Sequence, residues 1–177
     1  MFFEEKTLDT KRIYEGRIIN LRVDKVTVQN GTSTREIVEH NGGSVIAAIT
    51  NDNKIVMVRQ FRKPFDKAIL EVPAGKLDGD EDPAEAALRE LSEETGYTAG
   101  KLEKLNEFYP SVGYTTEVLH IYLATELTPG ATHPDENEVL EVMEMDLEDV
   151  YGMIMDGKIH DGKTIAAVMM AREKLRA

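Results

Sequence analysis

Cysteine and tryptophan are both absent from the 177 residues. Without cysteine there is no disulfide, no thiolate zinc site and no cysteine nucleophile, so stability must come from apolar burial and any chemistry from oxygen and nitrogen groups. No apolar run approaches the roughly 20 residues that span a bilayer. The start, MFFEEKTLD, lacks the basic and long apolar stretches of a signal peptide. These absences point to a cytoplasmic protein without a membrane partner. Positive charge is also scarce: 21 Lys and Arg stand against 33 Asp and Glu, a formal net charge of −12. A nucleic-acid partner is therefore not expected, because phosphate backbones are held by basic faces. A small phosphate-bearing substrate needs a metal and a few local Arg or Lys to offset the acidic field.

Apolar content is ample. At 41% hydrophobic residues the chain can bury a core, as one sizeable domain or one domain with a small appendage. Acidic residues concentrate in Gly75 to Tyr97, GKLDGDEDPAEAALRELSEETGY. Asp82 is a good N-cap, Pro83 suits a first helical position that needs no N–H, and Glu85 stands three beyond the cap in a capping-box-like arrangement. Gly96 can adopt the left-handed conformation that ends a helix, which predicts a helix over Pro83 to Thr95. At about 100° per residue from Glu90, Glu94 falls near 40° and Glu93 near 300°, while Ala87, Leu91, Ala84 and Leu88 fall between roughly 60° and 160°. An apolar arc for docking thus borders a carboxylate arc of Glu90, Glu93 and Glu94. These like charges repel unless a cation sits among them, and oxygen-only ligands suit Mg²⁺ or Mn²⁺. An EF-hand at Asp78, Asp80 and Asp82 is ruled out, since Pro83 stands where that loop needs Gly and Arg89 where it needs a bidentate Glu.

Upstream, Arg17 to Val28 alternates like a strand, and Asn30-Gly31 is a two-residue hairpin signal before Thr34 to Glu39. Asn41-Gly42-Gly43 breaks the pattern. Strands are then expected at Ser44 to Thr50, Lys54 to Gln60 and Ala68 to Val72. Arg59 and Arg62 leave this region as either solvent-facing strand ends or groups for phosphate or base recognition, to which the planar guanidinium is suited. Downstream, strands are expected at Leu102 to Tyr109, Glu117 to Ala124 and Val139 to Met145, with irregular chain over Thr128 to Asn137. Two more helices follow, from the Asp146 cap through Met155 and over Lys163 to Leu175. The order of elements predicts an α/β (α+β) protein with a mixed sheet flanked by helices and a small N-terminal antiparallel sheet.

The helical stretch is also a signature. Gly75, five residues, Glu81, seven residues, Arg89-Glu90-Leu91, one residue, Glu93-Glu94, one residue, Gly96 and a bulky residue resemble the box of the Nudix hydrolases; Tyr97 stands where an aliphatic residue is usual. The resemblance implies the Nudix fold, a mixed β-sheet sandwich flanked by helices, and metal-dependent hydrolysis of a nucleoside diphosphate linked to another group. It implies Glu90, Glu94, Glu93 and the Ala74 carbonyl as metal ligands, with Glu81 and Arg89 in support. The flanks VRQFRKP, EVPAG, YPSVGYTTE and DGKTIAA look like the ADP-ribose pyrophosphatase branch. Ser111-Val112-Gly113 lacks the proline that the branch commonly has there. The branch implies that Arg59, Arg62, Glu71, Ser111 and Gly113 contact a small nucleoside diphosphate sugar and that Glu136 or Glu138 is the base. It implies a homodimer, with residues 1–40 as an appendage serving dimerisation and 41–177 as the hydrolase domain. ADP-ribose, split to AMP and ribose 5-phosphate, is the expected substrate. The alternatives are another sugar, such as ADP-glucose, or a nucleotide-sensing domain without turnover.

Overall fold

The computed structural model describes residues 3–133 and 139–177, so Glu136 and Glu138 lie outside the described residues. The chain divides into two compact units: one holds the chain up to Gly42 together with Tyr109–Val118, the other Gly43–Phe108 and Leu119–Ala177.

In the first unit β1 (Thr7–Glu15), β2 (Asn20–Val28) and β3 (Gly31–Glu39) form an antiparallel sheet in that order. The hairpin anticipated from Asn30-Gly31 is present but displaced by one residue. Val28 pairs with Gly31, so Gln29-Asn30 makes the corner and Gly31, at φ 123°, opens β3 in a conformation open to glycine. β1 gave no strand signal because it is exposed along its whole length and so has no buried face to impose alternation. The 109–118 segment joins this sheet: Val38 N–H donates to the Tyr114 carbonyl at 2.7 Å and Thr116 N–H to the Val38 carbonyl at 2.9 Å.

The second unit contains β4 (Gly43–Ala48), β5 (Lys54–Arg62), β6 (Lys67–Glu71), β7 (Ala74–Lys76), α1 (Pro83–Thr95), β8 (Tyr97–Phe108), β9 (Leu119–Pro129), β10 (Glu141–Asp146), α2 (Leu147–Met155) and α3 (Gly162–Arg176). Its two sheets have the orders β10-β5-β6 and β7-β4-β9-β8, with β4 and β9 parallel. β4 is buried end to end because both of its faces are covered. Val45 and Ala47 enter an apolar cluster with Ala167, Val168 and Ala171 of α3, while Ile46 and Ala48 enter a second one with Ala87 and Leu91 of α1. A strand sandwiched in this way reads as a continuous apolar run rather than an alternating one. Ile55 and Met57 of β5 face the first cluster and Val56 the second, by the same period of two.

Helix α1 has the bounds expected from its caps, but its buried face is rotated. Ala86, Ala87, Leu91, Glu94 and Thr95 are buried, whereas Leu88, expected in the docking arc, is 41% exposed. The cause is the strand at Ala74–Lys76, which the sequence reading missed. It pairs with Gly43–Val45 and lets α1 close against Gly75, drawing the Glu90–Glu94 side of the helix inward and leaving Leu88 outside.

Candidate active site

The start of α1 is fixed by Asp82, whose carboxylate accepts from the N–H groups of Ala84 at 2.8 Å and Glu85 at 3.4 Å. Its end is fixed by Gly96 at φ 74°, whose N–H donates to the Ser92 carbonyl. Between these caps one side chain organises the acidic face. Arg89 Nε and Nη2 donate to the two Glu81 oxygens, each at 2.9 Å, and Nη1 donates to Glu90 at 2.8 Å and Glu93 at 3.0 Å. Nη2 also reaches the Lys76 carbonyl at 3.2 Å. Arg89 thus reaches Glu93, one helical turn on, but the fork of the guanidinium is directed at Glu81. That bidentate bond is the main cause raising the Arg89 pKa, and in return it holds the Glu81 carboxyl below its usual range.

Gly75 leaves room for the Glu90 carboxylate. A Cβ there would meet the Glu90 carboxylate carbon at 1.8 Å, so any other residue would push that carboxylate from its place against β7. On the neighbouring residue, Ala74 N–H donates to Glu94 Oε2 at 3.1 Å, and Glu94 is 4% exposed. The Pro73 carbonyl accepts from Ile46 N–H of β4. Backbone groups alternate sides along a strand, so the Ala74 N–H and carbonyl face away from β4, on the side where Glu94 lies. Glu90 thus lies against Gly75 and Glu94 against the Ala74 N–H, two adjacent positions of β7.

Among the described residues no three His, Cys, Asp or Glu side chains are already gathered as a metal cage. The donor set nonetheless fits a hard divalent cation. It is made only of oxygens, it carries more negative than positive charge around Arg89, and the Gly75 gap seats one carboxylate on the backbone.

Glu71 is 2% exposed and sits in a different arrangement. Arg62 Nε and Nη2 grip its two oxygens at 2.7 Å each, and Lys163 Nζ completes the contact while reaching Asp161 at 2.9 Å. Burial works to raise the Glu71 pKa, but the Arg62 bonds and the Lys163 charge together outweigh it and hold the carboxyl below its ordinary range. Arg62 remains 37% exposed at its side chain. Arg59, three residues earlier in β5, projects from the other face and pairs with Glu141 at the surface, where both side chains are more than half exposed. The structure does not bring Arg59 to the box. Ser111 and Gly113 belong to the other unit; the Ser111 carbonyl accepts from Thr115 N–H, and a side chain at Gly113 would meet nothing. Asp161, Lys163 and Thr164 lie in the DGKTIAA run that carries part of the branch resemblance, but the sequence assigns them no role. The DGKT run signals a helix start, but its partners lie 92 residues away and no local signal reveals them.

A model of the NUDIX domain matches residues 40–168. The chain belongs to the Nudix family. Residues 5–38 match a nucleoside diphosphate sugar hydrolase N-terminal domain. This Nudix protein is 48% identical to a methanol dehydrogenase activator of Bacillus methanolicus, over 94% of this chain and 91% of that one. It is 45% identical to an ADP-ribose pyrophosphatase of Bacillus subtilis, covering 98% and 97% of the two chains. A crystal structure of an ADP compounds hydrolase superposes with a TM-score of 0.87 over 99% of this chain and 96% of that one; at 21% identity it establishes the fold. Nudix hydrolases generally need a divalent metal ion. Among the described residues no helix is long and apolar enough to cross a membrane.

Proposed function

We propose that the chain hydrolyses the pyrophosphate bond of ADP-ribose, giving AMP and ribose 5-phosphate, with Mg²⁺ or Mn²⁺. The observation that supports this most is the joining of two things in one chain: an acidic cluster built on Gly75 and Arg89, and near full-length likeness to an ADP-ribose pyrophosphatase. Glu90, Glu94 and the Ala74 carbonyl are the principal ligands and Glu93 a further one. When bound, the divalent ion offsets pyrophosphate charge and lowers the pKa of water.

The chain's own groups supply the rest. Arg89 keeps Glu81, Glu90 and Glu93 together against their mutual repulsion and fixes their orientation. Arg62, held by Glu71 through Nε and Nη2, presents its remaining edge to a phosphate oxygen. Glu136 or Glu138 accepts the proton of the attacking water, which adds its oxygen to phosphorus as the bridging bond breaks. Ser111 and Gly113 are substrate contacts of the 109–118 segment. The N-terminal sheet serves a homodimer, and the protein works in the cytoplasm without nucleic-acid or membrane partners. Arg59 is not part of this proposal.

The test is a panel of nucleoside diphosphate compounds and triphosphates with Mg²⁺ or Mn²⁺, with products separated by chromatography. AMP and ribose 5-phosphate from ADP-ribose are the expected result; preference for a triphosphate overturns the substrate. The match of residues 5–38 to a domain of nucleoside diphosphate sugar hydrolases favours ADP-glucose or a related sugar as the second reading.

A further inference from the structure

Thr164 is completely buried, yet every polar atom of its hydroxyl is engaged. It lies in the first turn of α3, whose cap, Asp161, accepts from Thr164 N–H at 3.1 Å and from Thr164 Oγ1 at 2.6 Å through the same oxygen. The hydroxyl proton is thereby committed to Asp161, and the Oγ1 lone pairs are left to accept Val72 N–H at 2.9 Å.

Val72 is the point where the chain changes sheet. β6 ends at Glu71 in the sheet β10-β5-β6, and β7 begins at Ala74 in the sheet β7-β4-β9-β8. The crossover residues Val72 and Pro73 belong to neither, so their backbone groups have no strand partners of their own by default. Each is anchored separately: Val72 N–H by Thr164, the Pro73 carbonyl by Ile46 N–H at 2.9 Å, and Ala74 N–H by Glu94 at 3.1 Å. Pro73 has no N–H to offer. Thr164 is thus the side chain that fixes the upstream end of a three-residue span whose downstream end bears the Ala74 carbonyl and Gly75.

We propose that Thr164 is a positioning residue for the metal site, with Asp161 aiming its hydroxyl so that the Val72–Ala74 crossover holds the Ala74 carbonyl in place beside Glu94. It touches neither substrate nor metal. The inference deepens the function proposed above and rests on it for the role of Ala74.

The test uses Thr164→Val, which keeps volume and removes the hydroxyl, Thr164→Ala, which removes both, and Thr164→Ser, which keeps the hydroxyl. Mn²⁺ affinity is measured by electron paramagnetic resonance on the substrate-free protein well below the melting temperature, beside kcat and KM for ADP-ribose. In the Val and Ala variants Mn²⁺ binding is expected to weaken and kcat to fall, each by about tenfold, the lower end of the range for groups behind a ligand. KM stays within about threefold, and Ser restores both within about twofold. If the Val variant does not melt cooperatively, the Ala variant decides. Wild-type Mn²⁺ affinity in a folded variant without the hydroxyl overturns the proposal, as does a Ser variant as impaired as Val. The Mn²⁺ titration needs no substrate, so it stands even if the panel of compounds shows that the sugar is not ribose. Wild-type protein that binds no Mn²⁺ overturns both readings.

Discussion

Arg89 and Arg62 each grip carboxylates in the same unit, and the two clusters differ in how their charges add up. Around Arg89 one cation meets three carboxylates, Glu81, Glu90 and Glu93. Around Glu71 two cations, Arg62 and Lys163, meet two carboxylates, Glu71 and Asp161. The first cluster keeps a negative excess that an added divalent cation can take up. The second is balanced in charge, and its central carboxylate is almost wholly buried. A buried carboxylate whose two oxygens are both gripped is a firm strut, from which Arg62 keeps one edge free for another partner. Both look alike in sequence, as glutamates within reach of arginine; only the count of partners separates them.

The largest effect expected from this contrast is on turnover. Glu94, beside the Arg89 cluster on the same helix, is a proposed ligand; Glu94→Gln keeps an oxygen to accept Ala74 N–H but removes the charge offered to the metal. The expected result is a kcat lower by about 10²-fold or more, as for loss of a main electrostatic stabiliser. Steady-state kinetics check it; the effect on turnover should vanish in excess chelator, where wild type is inactive too. Glu71→Gln should invert the pattern. It strands two cations against one carboxylate and should cost about 3 kcal/mol, near the low end for breaking a buried pair because Arg62 is partly exposed. Turnover of the folded fraction should fall less than about tenfold. Urea unfolding measures the first quantity. If Glu71→Gln loses turnover as heavily as Glu94→Gln at little cost in stability, the contrast between the clusters is broken.

Much of this was legible in the sequence. The caps of α1 are local chemistry, Asp82, Pro83 and Gly96, and the structure has them at the expected bounds. The Nudix resemblance links Glu94 with Ala74, and Ala74 N–H does donate to Glu94. What was not legible depends on contacts distant in sequence. Leu88 was assigned inward because a helical wheel shows which side chains share an arc but not which arc is pressed on, and β7 decides that. Arg59 and Arg62 looked equivalent as arginines after a Val and Met run. Their separation of three along a strand sends them to opposite faces, one to Glu141 at the surface and one to Glu71 inside. The partners of Lys163 and Thr164 are illegible for the same reason, since Glu71 and Val72 reach them across 92 residues.

A smaller effect appears with pH. The folded Glu71 carboxyl lies below its unfolded value of 4.5. A depressed acid stabilises above its unfolded pKa, and that contribution is lost as pH falls through the folded value. Below pH 4.5 wild type should therefore lose stability more steeply than Glu71→Gln, by at most about 1.4 kcal/mol per pH unit for one proton. The other lowered carboxyls, Glu81 among them, titrate in both proteins and cancel in the difference. Unfolding curves taken across the acid range should converge as pH falls, and parallel curves would mean that Glu71 is not held as the balanced cluster requires.

The smallest effect is expected at Arg59, and it sharpens the comparison by supplying an arginine that belongs to neither cluster. Arg59 and Glu141 are direct cross-strand neighbours, joined by an Nε bond of 2.9 Å, with side chains 52% and 59% exposed. Water competes for both groups, and holding two long side chains in one geometry costs entropy, so the coupling in a double-mutant cycle with Glu141→Ala should be about 0.2–1 kcal/mol. Raising the salt from about 0.05 to 0.5 M should shrink it further, because exposed charges are screened within a Debye length of several ångströms. Arg59 faces away from Glu71 and from α1, so Arg59→Ala should leave kcat/KM within about twofold, whereas Arg62→Ala removes a partner of a buried carboxylate and should lower both stability and kcat/KM. The two alanine variants, assayed side by side for ADP-ribose hydrolysis and urea stability, check this directly. A tenfold fall in kcat/KM for Arg59→Ala would return Arg59 to the substrate site and show that the face on which a β5 arginine lies does not decide its role.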